Sequence, residues 1–187
     1  MTQFRKRRIE EMGRLSTEAF IAAEKIPVRV ILDDIRSMHN VGALFRTSDA
    51  FRIEALHLCG ITPKPPHREI HKTAIGAEKS VRWEYHEDIL SLIQLLLTED
   101  YTLIGVEQTE DSIPLQQFQV DPSHKYALIL GHEIQGVKQE VLALCEAVVE
   151  IPQFGTKHSL NISVSAGISL FHFSHPFFGG MMDWRSE

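Results

Sequence analysis

Five short apolar runs constrain the fold of this chain most tightly. VRVILD (28–33), IEALHLCG (53–60), YTLIGVE (101–107), KYALILG (125–131) and VVEIP (148–152) are aliphatic and rich in β-branched residues. They mostly lack the in–out alternation of a strand with one wet face. Near-continuous apolar strands are those buried on both sides, as in parallel sheets. Helical stretches lie between several of them, so the order predicts an α/β fold, mainly parallel, with helices on both faces of the sheet.

The segments between the runs read as follows. The first stretch, to about Lys25, intersperses Ile9, Met12, Leu15 and Phe20 among charges and predicts an amphipathic helix or two short ones, ended by Pro27. NVGALFRTSDAF (40–51) predicts a helix with Asn40 as its N-cap. Pro63, Pro65 and Pro66 make 61–68 a loop, and Pro114 and Pro122 do the same for 108–124. HEDILSLIQLLLTED (86–100) and KQEVLALCEA (138–147) predict helices. LNISVSAGISL (160–170) alternates apolar and small polar residues, and by periodicity alone it is a strand.

Composition excludes several classes. The length of 187 residues fits one domain. Only Cys59 and Cys145 are present, in no metal or disulfide spacing, so no metal ligands are assigned and a reducing compartment is expected. No apolar run is long enough to span a membrane, and MTQFRKRRIEEMGRL lacks the apolar core of a secretory signal; the expectation is a cytoplasmic protein. The net charge of −6 argues against a general affinity for polyanions. Basic residues nevertheless cluster at Arg5, Lys6, Arg7 and Arg8 and at Lys64, His67, Arg68, His71 and Lys72.

Three segments carry candidate chemistry: HNVGALFRTSD (39–49), LGHEIQGV (130–137) and IPQFGTKHSLNISVS (151–165). Each lies at or just beyond the C-terminal end of a predicted strand, where open parallel sheets bind ligands. Gly131, Gly136 and Gly155 allow close backbone approach. GxGxxG and GxxxxGK[ST] are both missing, so the phosphate cradles of dinucleotide and P-loop sites are not available. A pocket built from backbone amides and carbonyls suits an adenine or a methionyl group better than a triphosphate.

In this order and spacing, the three segments resemble the three motifs of the SpoU/TrmH family of the SPOUT superfamily, over about Val28 to Phe173. The resemblance implies an α/β sheet closed by a C-terminal trefoil knot, a homodimer with its active site near the subunit interface, and S-adenosylmethionine held in the knot. It implies transfer of a methyl group to an RNA ribose 2′-hydroxyl. Asn40 and Arg46 match the first motif, Glu133 the second, and Ser159 and Asn161 the third. The cofactor would lie against the backbone around Glu107, Leu130, Gly131, Gly136, Ile151 and Leu160. The resemblance also makes 160–170 a helix, against its period of two, and that reading is preferred.

A guanidinium stays protonated, so Arg46 is a poor literal base. It is read as fixing an RNA phosphate and stabilising the developing alkoxide, while phosphate or water takes the proton. Asn40 would orient Arg46 or the ribose, and Glu133 would anchor the surrounding chain. Taken singly, Asn40 could be a cap, Arg46 and Asp49 an exposed pair, and Ser159 and Asn161 turn residues. Arg7, Arg8, Arg68 and Lys72 are candidate phosphate contacts. The aromatic tail of Phe171, Phe173, Phe177 and Phe178 is core or dimer interface. The expected organisation is a helical extension (1–27), the methyltransferase domain (28–178) and a tail (179–187). The short segment before Val28 leans the substrate toward transfer RNA rather than ribosomal RNA. The alternative function is a non-catalytic, knotted RNA-binding assembly factor.

Overall fold

The computed structural model describes residues 4–181; most of the tail expected at 179–187 lies outside them. A short 3-10 turn at Ile9–Met12 is followed by α1 (Thr17–Ala22), β1 (Ile26–Asp33), α2 (Met38–Ala50), β2 (Ile53–Cys59), α3 (Arg68–Ala74) and β3 (Trp83–His86). Then come α4 (Ile89–Thr98), β4 (Tyr101–Val106), β5 (Ile113–Pro114), β6 (Lys125–Leu130), α5 (Gln139–Leu142), β7 (Ala147–Glu150), α6 (Ile162–Ser174) and α7 (Phe178–Met181). The seven strands form one sheet in the order β3-β2-β1-β6-β4-β7-β5. Every pairing in it is parallel.

Burial on both faces explains the apolar runs. Val28, Val30 and Leu32 of β1 join Leu128 and Leu130 of β6 in a core with Val41, Leu44 and Phe45 of α2, Ile70 of α3, and Ile162, Ala166, Leu170 and Phe173 of α6. Ile31, Ala127 and Ile129 face the other way, onto Ile89, Leu92, Ile93 and Leu96 of α4 and Val141 of α5. Successive strand residues thus enter opposite cores, each covered by helices. Phe20 of α1 is buried in the first core, which fastens the N-terminal segment to the sheet. No helix among the described residues is long and apolar enough to cross a membrane.

Of the two N-terminal readings, the structure shows two short pieces, a 3-10 turn and α1, divided at Gly13, whose φ is 57°. Several other local expectations are corrected. Pro27 does not end α1: the helix stops at Ala22, and Pro27 lies within β1 where the register against β2 shifts, a position that tolerates a missing N–H. Asn40 is not the N-cap of α2. Ser37 is, accepting the Asn40 amide at 3.3 Å, so Asn40 sits in the first turn with its side chain free for other partners. The helix expected at 86–100 spans only Ile89–Thr98, because Asp88 caps it through Leu90 and Ser91 and residues 83–86 pair as β3. The helix expected at 138–147 stops at Leu142, because Ala147 must already pair with Ile104 of β4. The 108–124 loop holds the two-residue strand β5 and a 3-10 turn at Leu115–Gln117. The preferred reading of 160–170 holds: residues 162–174 are helical, as the resemblance implied and against their alternation.

Candidate active site

A cleft of about 500 Å³ opens at the C-terminal ends of β4, β6 and β7. Its walls are the three segments that leave those strands, and they include Glu107, Leu130, Gly131, Glu133, Gly136, Ile151, Ser159, Leu160 and Asn161. The turn after β6 is tight. The Gly136 amide donates to the His132 carbonyl at 2.8 Å, and His132 Nδ1 accepts the amides of Ile134 and Gln135. Glu107, just past β4, accepts the Val137 amide at 2.9 Å and fastens this turn to the next strand. Gly136 has φ 71°, and a Cβ there would stand 2.2 Å from Glu107 Oε2; a Cβ on Gly131 would stand 2.2 Å from the Gly136 backbone. Only glycine permits this closeness of chain to chain.

Side chains from all three candidate segments meet in one polar relay. Glu133 accepts the backbone amides of Arg36 and Ser37, each at 3.1 Å, at the entry to α2. Asn40 Nδ2 donates to Glu133 Oε1 at 3.5 Å, and Asn161 Nδ2 donates to Asn40 Oδ1 at 3.2 Å. Asn161 Oδ1 caps α6 by accepting the Ser163 amide at 2.9 Å. Burial pushes the Glu133 carboxyl upward, but the amides of Arg36, Glu133 and Ser37 and the Asn40 side chain outweigh it, so its pKa falls below the ordinary glutamate value. A carboxylate so occupied is an anchor rather than a proton acceptor. On the cleft's far side, Gln108 Nε2 holds the His158 carbonyl at 2.9 Å, tethering the loop that carries Ser159.

Arg46 is not part of this cleft. It lies on α2 two turns beyond Asn40, is exposed, and makes no hydrogen bond or ion pair to any described residue. The candidate RNA contacts divide. Arg7 lines a second groove with Arg14 and Arg52, and Arg68 lines a third with His67, His71 and Lys79. Lys72 is paired with Glu69 at 2.7 Å, so its charge is already matched, and His71 meets Glu78 at 2.6 Å. The aromatic tail divides too: Phe173 is fully buried, whereas Phe171 is 56% exposed. Sequence reasoning passed over Gln108, Ile134 and Gln153, which line the cleft. Ile134 is 84% exposed and Phe154, beside Gln153, is 98% exposed. An apolar residue inside a polar glycine-containing turn was the available signal for both.

Comparison with known proteins gives a consistent picture. The SpoU rRNA Methylase family model matches residues 27–171. A tRNA (guanosine(18)-2′-O)-methyltransferase of Thermus thermophilus is 31% identical over 170 residues, covering 91% of this chain and 81% of that protein. The 23S rRNA (guanosine-2′-O-)-methyltransferase RlmB of Escherichia coli is 30% identical over 155 residues, covering 81% of this chain and 61% of that one. An AdoMet-bound rRNA methyltransferase from Sinorhizobium meliloti superposes with a TM-score of 0.76 at 23% identity, over 83% of this chain and 58% of its own.

Proposed function

This chain belongs to the SpoU rRNA Methylase family, and on that premise we propose that it is an S-adenosylmethionine-dependent RNA methyltransferase acting on a ribose 2′-hydroxyl, with transfer RNA favoured over ribosomal RNA. The observation that carries this reading is the Glu133–Asn40–Asn161 relay, which knits three segments remote in sequence around one cleft. The relative named for transfer RNA shares the larger part of its own length with this chain, which supports that substrate.

The cleft fits the cofactor the family implies. Its volume lies in the range of small-ligand sites, roughly 300–1,000 Å³, and the close approach at Gly131 and Gly136 leaves main-chain groups on its wall. Leu130, Gly131, Gly136, Ile151 and Leu160 would hold S-adenosylmethionine together with Glu107, which shapes the turn. When bound, S-adenosylmethionine supplies the electrophilic methyl group. The residues of the chain do the rest. Glu133 and Asn161 fix Asn40, which orients the ribose at the cleft mouth alongside the Ser159 hydroxyl. The Arg46 fork holds an RNA phosphate and stabilises the alkoxide, while phosphate or water takes the proton. The threaded, knotted path belongs to the same reading; the Glu107–Val137 and Gln108–His158 tethers support it by clamping three loops at one place.

Arg46 stands outside the cleft of its own chain, so the reading requires a homodimer in which Arg46 serves the cleft of the second copy. The exposed stripe Val164, Ile168 and Phe171 on α6, the helix that packs against α2, supports that interface. Residues 1–27 and 28–178 act together as extension and catalytic domain, Arg7, Arg8, Arg68 and Lys72 make phosphate contacts, and the site of action is the cytoplasm. The test is methyl transfer to purified tRNA and rRNA, followed by nuclease digestion and mass spectrometry of the ribose. Activity regained on mixing Arg46→Ala chains with Asn161→Ala chains supports the shared site. RNA binding without methyl transfer by the wild-type dimer would favour the assembly-factor reading instead.

A further inference from the structure

The strands at the opposite edge of the sheet bring together three side chains that no spacing rule connects. β3 pairs with β2 in the register His57 opposite Glu84 and Cys59 opposite His86. Residues two apart on a strand share a face, so His57, Glu84 and His86 all point to the same side of the sheet. Their ligand-capable atoms lie within 4.8 Å of one another. His57 Nδ1 is 3.0 Å from His86 Nε2, and His86 Nε2 is 3.8 Å from Glu84 Oε2. A four-coordinate zinc ion with bonds of about 2.0–2.1 Å sets its ligand atoms roughly 3.3 Å apart, which falls between the two observed separations. From this geometry we infer that His57, Glu84 and His86 form a site for a zinc-class divalent cation, with its fourth position open to solvent.

The surroundings are those of a prepared ligand set. Glu84 Oε1 is held by Arg82 Nε at 3.1 Å, which leaves Oε2 as the ligating oxygen and fixes the carboxylate from behind. The positive charge of Arg29, the other cation near His57, is already matched by Glu54 and Glu99. Two imidazole nitrogens 3.0 Å apart can be reconciled by one proton or by one metal ion. His57 Nε2 is buried with no hydrogen-bond partner among the described residues, so the His86 contact at Nδ1 is the one side-chain contact that bears on its tautomer. β1 lies between the two strands that carry this cluster, β2 and β3, and β6 with its cleft, so the cation pins the edge strand β3 to β2 rather than taking part in methyl transfer.

The experiment uses the untagged full chain, stripped with a chelator and titrated with Co²⁺ and then Zn²⁺. Co²⁺ should bind one equivalent per chain, give visible d–d absorption of tetrahedral character and be displaced by Zn²⁺. Zn²⁺ at a hundredfold excess over Kd should raise Tm by roughly 5–10 °C. The side chains of His86 and Glu84 are 21% and 38% exposed, so His86→Gln and Glu84→Gln keep the fold, and each should weaken binding at least tenfold. Absence of a saturable Co²⁺ spectrum, or binding by His86→Gln as tight as wild type, overturns the site. Neither result bears on methyl transfer, which is assayed separately.

Discussion

Replacing Glu133 tests the relay at its base. Its carboxylate accepts the Arg36 and Ser37 amides at 3.1 Å each and the Asn40 side chain at 3.5 Å. Hydrogen bonds to a charged group each contribute about 1.5–3 kcal/mol net. Arg36 is exposed, so water replaces that bond in a truncated variant; Ser37 is half-buried and loses more. The third contact is at the limit of a hydrogen bond and adds little. Glu133→Ala should therefore cost about 2–3 kcal/mol, a Tm decrease of roughly 5–10 °C for a chain of this size. Glu133→Gln keeps an accepting oxygen but not the charge at the entry to α2, and should cost about 1 kcal/mol. Because the folded-state pKa lies below the ordinary value of 4.5, the carboxylate's contribution is complete above that pH and fades as pH falls through the lowered value. Urea unfolding at pH 7 and at acid pH measures both effects, and the advantage of wild type over Glu133→Gln should shrink in acid. If Glu133→Ala unfolds within about 0.5 kcal/mol of wild type, the anchoring role is wrong.

Three further substitutions separate the parts of the site. Gly136→Ala puts a Cβ at a left-handed φ of 71° and 2.2 Å from Glu107 Oε2; calorimetry should show S-adenosylmethionine affinity reduced at least tenfold and stability reduced by about 1–3 kcal/mol. Asn161→Asp keeps the oxygen that caps α6 but cannot donate to Asn40, so turnover should collapse with Tm nearly unchanged, whereas Asn161→Ala should also lose about 1 kcal/mol of stability. Arg46→Lys retains charge without the planar fork. It should lose most turnover with cofactor affinity intact, and wild-type turnover in that variant would refute the phosphate-fork role.

The strands were legible because burial on two sides leaves a simple record: Val30 and Ile31 enter opposite cores, so neither position tolerates a polar residue. The wall of the cleft was legible through its glycines and its place past three strands. β3 was not, since WEYH is four residues long, sits at the sheet edge and has no buried residue. α3 escaped for a related reason, as REIHKTA buries only Ile70 and Ala74. Asn40 was misread as a cap because cap and relay use the same amide chemistry, and it is the fold that gives the first role to Ser37. The His57–Glu84–His86 cluster depends on strand register, which no local pattern encodes.

The alternation in 160–170 has a physical source in helix geometry, and it bears on the proposed homodimer. Residues two apart on a helix are turned by about 200°, so apolar residues at every second position fall on nearly opposite faces. In α6, Ile162, Ala166, Leu170 and Phe173 take one face and are buried in the sheet's core. Val164 and Ile168 take the other and are 48% and 40% exposed, continued by Phe171. A helix with a single partner needs only the first set and would carry polar residues at the rest. The same pattern that mimics a strand is the one required of a helix pressed between its own sheet and a second surface. The proposed homodimer, in which a second copy would supply Arg46 to the cleft, meets that requirement with no further component.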